Sequence, residues 1–240
     1  MNIIDFTNIS EMSDYAASMV ITEATRNPKL LLCTASGNSP LPLYEQLARE
    51  AQKNIQLFQE TRVIPLDEWV GLPSEEGSCH AYLKKHILTP LQISKDRYYG
   101  FNPTAEILEE ECGRIQNVLE SEGPIDICIL GLGKNGHLGF NEPANVLHPH
   151  CHIMDLAPQT QQHKMVADIP SKPTKGLTLG MHDILSSKRI LLLVSGKGKE
   201  EAKQKLRSAE ISSQCPATFL WLHTNVDCLI VDVPIVNVTY

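Results

Sequence analysis

Short apolar runs alternating with amphipathic stretches, nearly from end to end, constrain this chain more than any other feature. Lys29–Thr34 reads KLLLCT, Ile125–Leu130 IDICIL and Val226–Val231 VDCLIV; Arg62–Leu66 and Arg189–Ser195 are alike. Runs of this length bounded by turn residues suit strands covered on both faces. Gly176–Gly180 is a further expected strand. The intervening stretches predict helices. One runs over Leu41–Ala51 with Ser39 as N-cap and Pro40 at its first position. Others run from Ser78 to about Leu88, from Thr104 to about Leu119, and over Gly198–Ser208, with a short one at Phe219–His223. The alternation specifies an α/β fold: a single domain over residues 1–240 with a doubly wound, mostly parallel, Rossmann-like sheet. Ala157–Lys175 is polar, carries Pro158, Pro170 and Pro173, and predicts a lid segment within that domain.

Charge and cysteine usage exclude several classes. The net charge is −7 and no basic block stands out, so neither nucleic acid nor a membrane surface is expected as a partner. Seven cysteines, with no CxxC pair, predict reduced, mostly buried thiols in a cytoplasmic protein. The N-terminus lacks a cationic segment followed by an apolar run, and no apolar run is long enough to span a bilayer. His148, His150, Cys151 and His152 form the one local cluster of metal-ligating types. Its spacing satisfies no zinc pattern, so no metal is expected.

Three segments follow predicted strands, and in open α/β sheets ligands bind outside the carboxyl ends of strands. Ser36, Gly37, Asn38 and Ser39 lie in a small-residue turn that opens a helix. Unpaired N–H groups, hydroxyls and the positive end of a helix dipole make such a turn a phosphate site; an ordinary capped turn would read the same. It matches neither nucleotide-binding glycine pattern. Asp67 and Glu68 end an apolar strand beside Trp69. One carboxylate could face the crevice as a general base while the other is tied to backbone or a neighbour; a solvated acidic turn would read the same. Four glycines between Gly131 and Gly139 surround His137, with Asn135 and Glu142 nearby. An imidazole transfers protons near neutral pH, Glu142 can orient it, and Asn135 is a second hydrogen-bond candidate. Ser195–Lys199 ends a strand and opens a helix; it could supply another anion site with lysine as a point charge, though taken alone it reads as a solvated turn.

Together, LDEWVGLP at Leu66–Pro73 and GLGKNGHLGFNEP at Gly131–Pro143 resemble the glucosamine-6-phosphate deaminase/6-phosphogluconolactonase superfamily. The resemblance runs from about Ile21 to Val231, and the NEP ending is similar to the deaminase branch. LDEW, GLGKNGHLG, TQQH at Thr160–His163, LTLG ending at Gly180 and FLWLH at Phe219–His223 most resemble the galactosamine-6-phosphate deaminase/isomerase group.

The resemblance implies a role for each matching residue. Asp67 would move a proton between C2 and C1 of the opened sugar, His137 would handle the ring-oxygen proton, and Glu142 would orient His137. Ser36, Gly37, Asn38, Ser39 and Lys199 would hold the phosphate. Glu68 is the family's second acid, grouped here with the substrate-binding residues. The chain departs from the pattern in two places. Asn135 replaces the aspartate usual in glucosamine enzymes, and the lid phosphate-binding arginine has no clear match, leaving Lys164 or Lys175 as candidates. The implied activity is isomerisation with deamination of an amino-sugar 6-phosphate, galactosamine 6-phosphate before glucosamine 6-phosphate, without cofactor. No allosteric activation is expected, because the residues around Cys151–Met154 lack the basic pair of some relatives and the chain lacks their C-terminal extension. A homo-oligomer is an open expectation. Rival readings are a 6-phosphogluconolactonase and a non-catalytic sugar-phosphate-sensing domain.

Overall fold

The computed structural model describes residues 1–232. Six parallel strands form the central sheet: β1 (Asn2–Phe6), β2 (Leu31–Thr34), β3 (Arg62–Pro65), β5 (Ile127–Gly131), β8 (Arg189–Val194) and β9 (Val226–Val231), in spatial order β1-β9-β8-β5-β2-β3. Side chains alternate across a strand, and both faces of this sheet are apolar. Leu32, Val63, Ile129, Leu191 and Leu229 point into one core, shared with Val20 of α1 (Ile9–Arg26) and Leu47 of α2 (Leu41–Lys53). Cys33, Ile64, Leu130, Leu192 and Ile230 point into the other. It is covered by α4 (Leu108–Glu122), α5 (Met181–Leu185) and α6 (Glu200–Arg207), through Ile115, Ile184 and Leu206. The doubly wound, mostly parallel sheet is therefore observed.

A second sheet stands apart: β4 (Asp67–Val70), β7 (Lys175–Thr178) and β6 (His152–Asp155), antiparallel in the order β4-β7-β6. The run expected as a strand at Gly176–Gly180 thus lies outside the parallel sheet, and Asp67 and Glu68, expected to end the preceding strand, open a strand of their own. Beneath it Trp69, Cys79, Phe140, Leu156 and Val166 form a small third core.

Local differences have local causes. Ser39 does not cap α2. Pro40 occupies that position, while the Ser39 hydroxyl is engaged by Ser195 and Lys199. Thr104 bonds Asn102 instead of capping α4, which starts at Leu108 with three glutamates in its first turn complementing the helix dipole. Ser78 does cap α3 (Cys79–Leu83), which continues as a π-turn over Lys84–Leu88. Among the described residues, no helix is long and apolar enough to cross a membrane.

Candidate active site

All six central strands run the same way, so the loops after β2, β3, β5 and β8 open on one edge. The sheet order places β3 on one side of β2 and β5 on the other, making the gap between β2 and β5 the crevice where a ligand would sit.

The acidic pair divides its tasks. Asp67 is 8% exposed, and its Oδ1 accepts the Cys79 thiol at 3.4 Å. Burial pushes its carboxyl up to about 6, against the Cys79 hydrogen bond and the His137 charge, which pull it down. Glu68 faces away and accepts three backbone N–H groups: Trp69 at 2.9 Å, Cys79 at 2.8 Å and His80 at 2.7 Å. Burial raises it to about 7 despite those donors. Glu68 therefore anchors the start of α3 and does not present a free carboxylate to a substrate. Its expected place was among the binding residues; the partners seen here are all backbone N–H groups.

The glycine-rich loop shares a wall with Asp67. Thr178 pairs with Asp67 across β4 and β7, and its hydroxyl accepts the Phe140 N–H at 3.2 Å. His137 stands at this wall with Nδ1 3.3 Å from Glu142 Oε2. Asn135 Nδ2 donates to the same oxygen at 2.8 Å, and its Oδ1 accepts the His137 backbone N–H at 3.2 Å. Asn135 thus fixes the carboxylate and the loop and does not bond the imidazole. Burial alone would raise Glu142, but the His137 hydrogen bond and charge, with donors from Thr160 and Asn135, hold it at about 2.

The anion end lies where the β2 and β8 loops meet. Lys199 Nζ donates to Ser39 Oγ at 3.1 Å, and Ser195 Oγ donates to it at 3.2 Å. Burial, then Lys203 and Lys134, lower the Lys199 ammonium to about 8. Gly37 takes φ +124°, a backbone path open to glycine. Tyr44 and Tyr82 hydroxyls donate to the Ala35 and Gly37 carbonyls at 2.7 and 2.6 Å. The N–H groups of Ser36, Gly37, Asn38 and Ser39 donate to no protein group among the described residues. Ser36 Oγ donates to Cys79 Sγ at 3.1 Å, and Asn38 is exposed.

Four further residues complete the arrangement. Cys79 joins Ser36 to Asp67. Thr160, in the 157–174 segment, donates its hydroxyl to Glu142. His163 is solvent-accessible near Trp69, with ring centroids 6.1 Å apart; burial on its protein side and then the charges of His137, Lys199, Lys134 and Lys164 lower its pKa. His163 thus senses the charges of both the imidazole and the anion end. Lys134 runs beside Gly198. TQQH and GLGKNGHLG contained Thr160, His163 and Lys134, but periodicity gave them no partners. Of the two lid lysines, Lys164 adjoins this group, whereas Lys175 lies at the other end of β7 from Thr178. Among the described residues, no group of three or more His, Cys, Asp or Glu could hold a metal ion.

The chain is 41% identical over 225 residues to "Putative deaminase AgaI" of Escherichia coli strain K12, covering 93% of this chain and 89% of that protein. It is 38% identical over 233 residues to glucosamine-6-phosphate deaminase 1 of Bacillus subtilis strain 168, covering 96% of each. A solved monomeric glucosamine-6-phosphate deaminase of the NagB superfamily superposes with a TM-score of 0.90 at 37% identity, covering 96% of this chain and 97% of that one. The 6-phosphogluconolactonase of Thermotoga maritima shares the fold at 20% identity, with a TM-score of 0.74 and coverage of 96% and 98%. The model of the glucosamine-6-phosphate isomerases/6-phosphogluconolactonase family matches residues 8–229, and with the fold and the loops in agreement the chain belongs to that family.

Proposed function

We propose that the protein isomerises and deaminates an amino-sugar 6-phosphate, converting galactosamine 6-phosphate to tagatose 6-phosphate and ammonia. The observation that carries this reading is a buried carboxyl poised at about 6, close to an imidazole held by Glu142 and beside a cationic anion cradle.

The phosphate binds the free N–H groups of Ser36–Ser39, the Ser39 hydroxyl and Lys199, at the positive end of α2. Anchoring the remote phosphate holds C1 and C2 against Asp67. His137 delivers a proton to the ring oxygen as the C1–O bond breaks, and the C1 hydroxyl loses its proton to leave the aldehyde. Asp67 takes the C2 proton; the C–H electron pair forms C1=C2 and the aldehyde oxygen is protonated, giving an enolamine. Asp67 returns its proton to C1, leaving an iminium at C2. Water adds there, ammonia leaves, and the ketose forms. The 157–174 segment acts as a lid that closes over this chemistry, tethered through Thr160.

Galactosamine 6-phosphate is supported by TQQH, FLWLH and Asn135, and glucosamine 6-phosphate by the printed activity of two of the relatives above. The two substrates differ at the C4 hydroxyl, which a site separates strongly only by hydrogen-bonding it. The test is parallel incubation with both amino-sugar 6-phosphates and with 6-phosphogluconolactone, reading ammonia, ketose phosphate and acid. Equal ammonia and ketose, faster from galactosamine 6-phosphate, is expected. Faster turnover of the glucosamine epimer overturns the substrate assignment, and acid from the lactone without ammonia overturns the reaction.

A further inference from the structure

The two carboxylates of Asp67-Glu68 both reach one residue by different routes. Glu68 Oε1 accepts the Cys79 backbone N–H at 2.8 Å, and Asp67 Oδ1 accepts the Cys79 thiol at 3.4 Å. A third contact fixes the direction of the thiol proton. Ser36 Oγ donates to Cys79 Sγ at 3.1 Å, leaving the S–H to donate to Asp67. Cys79 is 1% exposed, so solvent does not compete for either bond. We propose that Cys79 is a positioning residue for the proton-transfer step, holding the Asp67 carboxylate by its S–H and linking it through Ser36 to the anion-binding loop. The proposal rests on the reading of Asp67 as the base.

A donor to a carboxylate favours its ionised form, and a thiol is a weak donor. Cysteine therefore orients Asp67 without drawing its basicity down as far as a hydroxyl would. The other titratable groups whose charge Asp67 senses are His137 from the glycine-rich loop, Cys33 on β2 and, on its own strand but turned away, Glu68. None of them changes when the Cys79 side chain is replaced. The bond from Glu68 goes to backbone, so a replaced side chain leaves the start of α3 anchored.

The experiment compares wild type, Cys79→Ala and Cys79→Ser in two readouts. The first is the titration of carboxyl-13C-labelled aspartate by NMR without substrate, with the Asp67 signal identified by its loss in Asp67→Asn. Cys79→Ala should raise the Asp67 midpoint by about half a unit or more, and Cys79→Ser should lower it, since removing or strengthening a donor moves a carboxyl in those directions. The second is the pH profile of kcat for ammonia release, whose acid limb should move with the carboxyl. At pH 6.5 the alanine variant should lose more kcat than the roughly 1.5-fold that a half-unit rise in the midpoint removes by protonation, the excess reporting lost orientation, with little change in KM, and serine should restore part of it. An Asp67 midpoint unmoved in both variants overturns the proposal, whatever the activity. If wild type releases no ammonia from either amino-sugar phosphate while the midpoint still moves, the contact stands and the assigned reaction falls.

Discussion

The imidazole of His137 lies against the bare Cα of Gly133: a Cβ there would fall 2.3 Å from the ring's Cδ2. Real Cβ atoms do not approach so closely, so the ring must leave or the loop must move. The Gly133 N–H also donates to the His137 carbonyl at 3.0 Å, which ties both residues into one turn. Gly133→Ala is expected to displace the ring from Glu142 and lower kcat/KM at least ~100-fold, with a stability loss of about 1–3 kcal/mol from overpacking. Turnover measured alongside thermal melting checks this, because a purely structural defect would move the melt and leave kcat/KM largely intact.

Asp67 and Glu142 should carry opposite stability signs. The folded Asp67 carboxyl is raised from 3.8 to about 6, so its contribution is fully present below 3.8 and lost as pH rises through 6. Two units correspond to about 3 kcal/mol. Glu142 is lowered from 4.5 to about 2, so its contribution is present above 4.5 and lost as pH falls through 2, again about 3 kcal/mol. At pH 7.5, Asp67→Asn should therefore be inactive yet more stable than wild type, and Glu142→Gln less stable. The asparagine gain should largely vanish by pH 4, whereas the glutamine loss should persist there and fade only towards pH 2. Urea unfolding at several pH values tests the signs; an asparagine variant less stable at pH 7.5 would contradict the burial argument.

Thr160 is the polar tie between the 157–174 segment and the carboxylate that holds His137. Thr160→Val keeps the shape and removes the hydroxyl. The variant is expected to lose about tenfold in kcat/KM, as one hydrogen bond to a charged group is worth roughly 1.5–3 kcal/mol. Limited proteolysis should cut 157–174 faster than in wild type. Unchanged cleavage would mean that the apolar seat formed by Trp69, Cys79, Phe140 and Leu156 around the segment's own Val166 holds it unaided.

Lys199, at about 8, should lose its charge as pH rises through that value, and phosphate affinity with it. KM for the sugar phosphate is expected to climb above pH 8. Lys199→Arg should flatten that climb, because a guanidinium stays protonated there, and Lys199→Ala should raise KM at every pH. A KM that still rises above pH 8 in the arginine variant would assign the effect to another group.

Much of the site could be read locally. Glycines around His137, a carboxylate five positions on, and small residues opening a helix are short-range patterns, and the structure gathers Asp67, His137, Glu142, Ser39 and Lys199 along one edge. What could not be read were partners supplied by distant segments. Thr160 and His163 lie in a polar stretch without a period, and Lys134 looks like any solvated lysine. At the N-terminus, β1 pairs with β9, and Asn2 bonds Asp227 at 3.2 Å across 225 residues. α1 is rich in Ser and Thr, which are poor helix formers, so packing rather than propensity holds it.

The sequence by itself determined the layer architecture. Strands apolar on both faces, separated by amphipathic segments, can be buried only between two helical layers, and β9 occupies the same residues in the sequence reading and in the structure. The family resemblance pointed to Asp67, but only the tertiary structure shows how differently the two adjacent carboxylates are surrounded. Asp67 and Glu68 are chemically alike, and neighbours on a strand face opposite ways. It was the arrival of α3 behind Glu68, and of the glycine-rich loop near Asp67, that gave one two N–H partners beyond its own strand and left the other a thiol and the charge of a nearby imidazole.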